Sequence, residues 1–248
     1  MEMLFLQSCE TILGVKDLRI KVIHKRDADK VVKKYHYSGK VTQTSQVNFG
    51  VFKNGILIGA LQYGPSIDKR RMAQNLGIGV NECLELNRMA ISDIAGKNTE
   101  SRCIAITLKI LRKQYPFLRC IISFSDATQC GDGIIYRASN FKLHSFKRNN
   151  SLLAISGPVK TYVKKYIPRV DDVVAIKTLD EHIDRETGKY LSSTVKKMGA
   201  QALPGFQMKY IYYFDKELEA RHPSVSFDEI PDEVRMYKGK KYAAEAEG

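Results

Sequence analysis

Residues 47–64, VNFGVFKNGILIGALQYG, are two apolar runs separated by Asn54-Gly55. Asn-Gly is the dipeptide that best tolerates the positive φ angles of a two-residue hairpin turn, so the runs are expected to be adjacent antiparallel strands. Pro65 has no N–H to give a ladder and should stop the second strand. A lone hairpin is marginal in water, so the rest of the chain must supply further strands and a covering helix.

It does. Leu18, Ile20 and Val22 alternate with Arg19 and Lys21, the pattern of a half-buried strand. Asp27 is placed to cap a short helix carrying Val31, Val32 and Tyr35, and YHYSGKVTQTSQ reads as a polar loop. SIDKRRMAQNLG reads as a basic loop and CLELNRMAI (Cys83 to Ile91) as a strand. After SDIAGKN, Asn98 or Thr99 can cap a helix with Glu100 in its first turn. Ile104, Leu108, Leu111 and Tyr115 recur along it at helical spacing, and Pro116 ends it. RCIISFSD is a short buried strand stopping at Asp126, followed by the loop ATQCGDG and a short helix, IIYRASNF. LHSF and SLLAISG add strands, residues 160–205 are polar and helical in part, and QMKYIYYFD (Gln207 to Asp215) is a late aromatic strand. AAEAEG reads as a frayed tail.

Mixed order of this kind predicts an α/β or α+β fold, a mixed central sheet flanked by helices with the long helix packed on it. The GNAT acetyltransferase fold has the same order, an analogy of pattern that carries no activity. Forty-four per cent of the 248 residues are apolar, enough for a sizeable core. No run approaches about 18 consecutive apolar residues, and MEMLFLQSCE lacks the basic start of a secretory signal, so a cytoplasmic protein without a membrane span is expected. Cys9, Cys83, Cys103, Cys120 and Cys130 are odd in number, with no C-x-x-C pair. Buried reduced thiols are expected rather than a zinc ribbon or disulfide framework.

The net charge of +13 favours a polyanionic partner, nucleic acid first. Arg137, Lys142, Lys147, Arg148, Lys160, Lys164, Lys165 and Arg169 are eight bases with no acid between them, interleaved with Phe141, Phe146, Tyr162 and Tyr166. Bases can neutralise phosphates while rings stack on nucleobases; a solvated charged surface is the plain alternative. DKRR (Asp68 to Arg71) and KGKK (Lys238 to Lys241) add charge elsewhere.

Asp126, at a strand's carboxyl end, and Tyr136, early in the next helix, are placed to face one cleft. A carboxylate can hold or deprotonate an amine, and a phenol can return a proton to a leaving thiolate. A turn-capping Asp and a core Tyr would read the same way. Arg88 interrupts an apolar strand and needs a carboxylate, a phosphate or solvent. Ser101, in the long helix's first turn, suits a phosphate or is an ordinary first-turn Ser. His36-Tyr37 reads as a ligand pair, a stacking platform or a loop tip. His182-Ile183-Asp184 with His222 has the spacing of a non-haem iron triad. Such triads sit on a double-sheet barrel rather than in a charged helical segment, so this one is set aside.

Taken together, HYSG (His36 to Gly39), ELNRMAI (Glu85 to Ile91), the N-x-x-S of Asn98 to Ser101, SFSDA (Ser123 to Ala127) and GIIYRASNF (Gly133 to Phe141) resemble the Mom family of phage DNA-modification proteins. YIYYFD and MYKGK are similar to that family's C-terminal end. The resemblance implies a GNAT-like fold that converts the N6 amine of adenine in double-stranded DNA to a carbamoylmethyl adduct, shielding phage DNA from host restriction. It implies acetyl-CoA and, as proposed for the family, iron. Carried over by position, it makes Asp126 and Tyr136 catalytic, Arg88 and Ser101 acyl-CoA-binding, and His36 and Tyr37 a metal pair. The usual GNAT pyrophosphate signature is absent, with SDIAGKNTES in its place. The implied organisation is a catalytic core over 1–160, a basic, partly helical insertion over 161–205 that contacts DNA, and 206–248 completing the core. An N-acetyltransferase acting on a protein or small amine, and a non-catalytic DNA-binding protein, are the alternatives.

Overall fold

The computed structural model describes residues 11–12, 18–128 and 131–230. Cys9, Cys130, MYKGK, KGKK and AAEAEG therefore lie outside the described residues. In chain order the elements are β1 (Thr11–Ile12), β2 (Leu18–Val22), α1 (Lys25–Tyr35), β3 (Val47–Lys53), β4 (Ile56–Gly64), α2 (Lys69–Leu76), β5 (Cys83–Ile91), α3 (Thr99–Gln114), β6 (Cys120–Asp126), α4 (Ile134–Arg137), β7 (Lys142–Arg148), β8 (Leu152–Ala154), α5 (Gly157–Lys164), β9 (Val173–Ala175), α6 (Ile176–Leu179), α7 (Leu191–Lys197), β10 (Gln201–Ala202), β11 (Phe206–Tyr213) and α8 (Lys216–Arg221). Eight strands form one sheet in the order β1-β2-β3-β4-β5-β6-β11-β7, and β10-β8-β9 form a second. This is the expected mixed α/β architecture, a mostly antiparallel central sheet with helices. No described helix is long and apolar enough to cross a membrane.

Two compact units divide the chain: residues 1–124, 133–145 and 209–227, and residues 125–132, 146–208 and 228–248. In the first unit the hairpin forms as expected, with Asn54 at φ 50 and Gly55 at φ 80. The amphipathic α1 lays Ala28, Val31 and Val32 against Ala60 and Ala90. Asp27 sits in its first turn, while His24 is the N-cap and makes no capping bond; the helix begins three residues earlier than the sequence suggests. Helix α3 buries Ile104, Leu108 and Leu111, and its Thr107 bonds the buried Tyr63 hydroxyl at 2.6 Å. Tyr115 is the C-cap and only half-buried.

The stretch 69–76 is a helix, not the expected loop. Asp68 accepts from the Arg71 N–H, and Gly77 closes the end in the left-handed conformation. Cys83, Cys103 and Cys120 are free, and Cys103 and Cys120 are buried as expected, whereas Cys83 is only partly buried. Burial and nearby Glu100 push the Cys103 thiol up to about 12.

Gly64 fastens the 36–46 loop to the sheet. A Cβ there would lie 2.2 Å from the Thr44 carbonyl oxygen and 2.9 Å from the Ser45 Cα. Both are backbone atoms, so Gly64→Ala must push the loop off β4, at a cost of about 1–3 kcal/mol by analogy with overpacked cores. Denaturant titration should show a lowered midpoint, and an unchanged one would mean that the loop yields freely.

The second unit has its own core of Leu153, Ile155, Tyr162, Val163, Val174, Leu179, Leu191 and Val195. Asp184 is fully buried there. Its carboxylate accepts from the Tyr162 hydroxyl at 2.7 Å, the Tyr166 hydroxyl at 3.3 Å, the Glu186 N–H at 2.9 Å, the Thr187 hydroxyl at 2.7 Å and the Thr194 hydroxyl.

Candidate active site

The site of the first unit begins where two strands part. β5 and β6 pair in parallel only over Cys83↔Cys120, Leu84↔Ile121 and Glu85↔Ile122. Beyond that, β5 continues against β4, with Arg88 opposite Gln62 and Ile91 opposite Gly59. The β6-facing edge of β5 after Leu86 thus has no ladder partner among the described residues. An unpaired strand edge inside a sheet is a row of amides ready for an extended, amide-bearing molecule.

Arg88 stands on that segment. Its Nε donates to the Lys40 carbonyl at 3.0 Å and a terminal nitrogen to the Asn87 carbonyl at 2.6 Å. Neither acceptor carries charge, and no described carboxylate pairs with the guanidinium, so its positive charge is uncompensated. Asn87 next to it holds a buried side-chain oxygen without a hydrogen-bond partner. Sequence reasoning left Asn87 unmarked, although a polar residue beside Arg88 in an apolar strand was a signal.

His36 lies close to Arg88. Its Nδ1 accepts from the Ser38 N–H at 3.2 Å and bonds the Ser38 hydroxyl at 2.9 Å, and its ring lies 4.4 Å from that of Tyr37. Burial, and then repulsion by Arg88, lower its pKa from 6.5 to about 4. The unfolded chain therefore binds a proton that the folded chain refuses. The stability tied to neutral His36 is complete above about pH 6.5 and drains away as pH falls towards 4. An NMR titration of the His36 ring should give a midpoint near 4 that rises in Arg88→Gln. A midpoint near 6.5 in the wild type would contradict this environment.

The pair does not fit iron. Its imidazole Nδ1 is engaged by Ser38, its nearest charged neighbour is a cation, and no three His, Cys, Asp or Glu converge among the described residues. The set-aside triad fares no better. His182 and Asp184 lie in a turn rather than a helix, and Asp184 is saturated with donors. His222 belongs to the other unit, where its Nε2 meets the Leu76 carbonyl at 3.1 Å.

Ser101 sits in the first turn of α3 and donates to the Asn98 carbonyl at 3.2 Å. Asn98 at φ 63 and Gly96 at φ 86 shape the approach to that helix start. No side chain caps it, so the first N–H groups keep their capacity for an anion.

Asp126 ends β6 and accepts from the Thr128 N–H at 3.0 Å, the capping role noted as its alternative. Tyr136 is buried with its ring 5.5 Å from Tyr210 and 5.6 Å from Phe141. Tyr136 belongs to the first unit and Asp126 to the second.

The basic run divides. Lys142, Lys147, Arg148, Lys164, Lys165 and Arg169 are exposed, and Arg137 lies 3.7 Å over the Phe227 ring. Lys160 is paired with Asp172 at 2.5 Å, and Lys165 stands 3.8 Å from Glu186. The acids missing within the run arrive from further along the chain. Phe141 and Tyr162 are core residues and the Tyr166 hydroxyl is tied to Asp184, so these rings are not the stacking platform that the interleaving suggested.

Among solved structures, the chain is similar to an IAA acetyltransferase from Bacillus cereus ATCC 14579, at 9% identity over 79% of this chain and 99% of that one, TM-score 0.43. It is similar to a Drosophila melanogaster polyamine N-acetyltransferase at 11% over 80% and 100%, TM-score 0.44. A Bacillus subtilis acetyltransferase in complex with CoA gives 7% over 79% and 99%, TM-score 0.44. Likenesses this distant leave the chemistry open. The curated relative is the methylcarbamoylase Mom of Escherichia phage Mu, 36% identical over 133 residues, which are 52% of this chain and 54% of that protein. The alignment thus spans about half the length of the relative. The Mom protein family profile matches residues 17–231, nearly the whole described chain, and on that match the chain belongs to the Mom protein family.

Proposed function

We propose that this protein is a phage DNA-modifying transferase that carries a carbamoylmethyl group onto the N6 amine of adenine in duplex DNA, protecting that DNA from restriction in the host cytoplasm. The observation that carries the reading is family membership over residues 17–231, with 36% identity to a methylcarbamoylase over half the chain. The charge of +13 supports a polyanionic substrate.

In this reading the N6 amine is the group modified and gives up one proton as it reacts; what this chain's residues supply is the handling of that amine and its proton. Asp126 orients the amine and takes that proton, and Tyr136 serves as proton donor or clamp. The adenine must leave the base stack, since its N6 is out of reach inside a duplex. Lys142, Lys147, Arg148, Lys164 and Arg169 would grip the backbone meanwhile.

The residues of the first unit fit acetyl-CoA. Arg88 offers an uncompensated cation for phosphate, the start of α3 at Ser101 offers uncapped N–H donors, and the unpaired β5 edge suits the amides of a pantetheine arm. When bound, that cofactor supplies an activated acyl group. His36, kept neutral beside Arg88, holds the 36–40 loop whose Lys40 carbonyl receives the guanidinium.

The test is to express the protein in bacteria with a plasmid, digest the plasmid and weigh its nucleosides. A deoxyadenosine heavier by the carbamoylmethyl increment is expected. Ordinary deoxyadenosine from soluble, DNA-binding protein overturns the reading, and an acetylated small amine in its place favours the plain acetyltransferase.

A further inference from the structure

Ile67 is 98% exposed, far beyond any other large apolar side chain described. It lies between β4 and α2 in Pro65-Ser66-Ile67-Asp68, a segment fastened at both ends. The Asn87 side-chain amide reaches the Pro65 carbonyl at 3.5 Å, and Asp68 caps α2 through the Arg71 N–H at 3.2 Å. Pro65 stiffens the entry by its fixed φ. The next three residues, Lys69, Arg70 and Arg71, are all exposed. None forms an ion pair with a described carboxylate, whereas Lys25 and Lys30 of α1 are paired with Asp29 and Asp27. α2 buries Ala73 and Leu76 and packs Met72 against the core, which leaves Lys69, Arg70 and Arg71 facing outward at its start.

A β-branched apolar side chain held out on a stiff turn, with three unpaired cations beside it, has the chemistry of a wedge for a nucleic-acid duplex. Apolar side chains of this kind enter between base steps and unstack them, while adjacent cations hold the phosphates. We propose that Ile67 is the wedge that opens the DNA base stack, with Lys69, Arg70 and Arg71 seated on the phosphates next to it. This inference rests on duplex DNA being the substrate. The root of the loop, at Pro65, is held by Asn87, the neighbour of Arg88 on the strand segment assigned to the acyl donor.

The test uses the full chain and duplexes carrying 2-aminopurine in place of adenine, a base whose fluorescence is quenched by stacking. Wild-type protein is expected to raise the emission several-fold. Ile67→Ala and Ile67→Ser should lose most of that rise while duplex affinity, read by anisotropy, stays within about threefold. Because Ile67 packs against almost nothing, both variants should melt like the wild type. The double variant Arg70→Ala/Arg71→Ala should lower affinity and flatten the slope of log affinity against log salt by about 1.8, two phosphate contacts' worth. Wild-type-like emission from Ile67→Ala overturns the wedge, as does a wild-type protein that modifies DNA without raising emission. A wild-type protein that neither binds duplex DNA nor leaves an adduct overturns the DNA reading itself.

Discussion

Asp126→Asn should leave plasmid deoxyadenosine at its ordinary mass, with adduct formation reduced by about 10²–10⁴-fold, the usual share of a positioned general base. Asn is the informative replacement because the local fold survives it. The wild-type side chain accepts from the Thr128 N–H at 3.0 Å, and an amide oxygen in the same place accepts equally well. What Asn cannot do is take a proton. Thermal unfolding should therefore be unchanged while chemistry is lost, which separates the catalytic role from the capping role that the structure displays. Tyr136→Phe complements it: the ring keeps its neighbours Tyr210 and Phe141, and only the hydroxyl goes. Adduct at wild-type level from Asp126→Asn would remove the carboxylate from the mechanism and leave Asp126 as a turn cap.

What could be read from the residues follows the range of the forces involved. The hairpin at Asn54-Gly55 and the helix over 99–114 depend on turn chemistry and periodicity carried within a few residues, and both are where expected. The helix at 69–76 was equally local, with Asp68 before it and Gly77 after, but its polar face hid the spacing of Met72, Ala73 and Leu76. The basic run from Arg137 to Arg169 could be read only in part, because the acids that meet two of its bases lie outside it. Lys160 finds Asp172 and Lys165 finds Glu186, partners that no count within the run could reveal. The candidate site was legible as residue types: Arg88 as a cation needing an anion, Ser101 at a helix start. The orphaned oxygen of Asn87 and the parting of β5 from β6 are properties of packed strands, and no spacing announces them.

The largest stability effect should come from Asp184, which resembled a metal ligand in the sequence and proves to be the tie of the second unit. Five donors from Tyr162, Tyr166, Glu186, Thr187 and Thr194 converge on its carboxylate, joining α5 and α7 to the turn between them. The Thr194 hydroxyl leads these hydrogen bonds in holding the Asp184 carboxyl well below the usual carboxylate range, against the opposing pull of burial. The folded state therefore binds its proton more weakly than the unfolded chain. The stability this gives is complete above the unfolded value, about pH 4, and is lost as pH falls below it. Asp184→Asn keeps the shape but removes the charge that makes these bonds strong. It should lower the melting temperature at pH 7 by about 5 °C or more and flatten the acid sensitivity below pH 4. Hydrogen exchange should show residues 153–195 opening first, because their core of Leu153, Val163, Leu179, Leu191 and Val195 is assembled around helices that this carboxylate joins. Unchanged melting and an unchanged acid slope would mean that the apolar core holds the unit alone, with the carboxylate adding nothing to it.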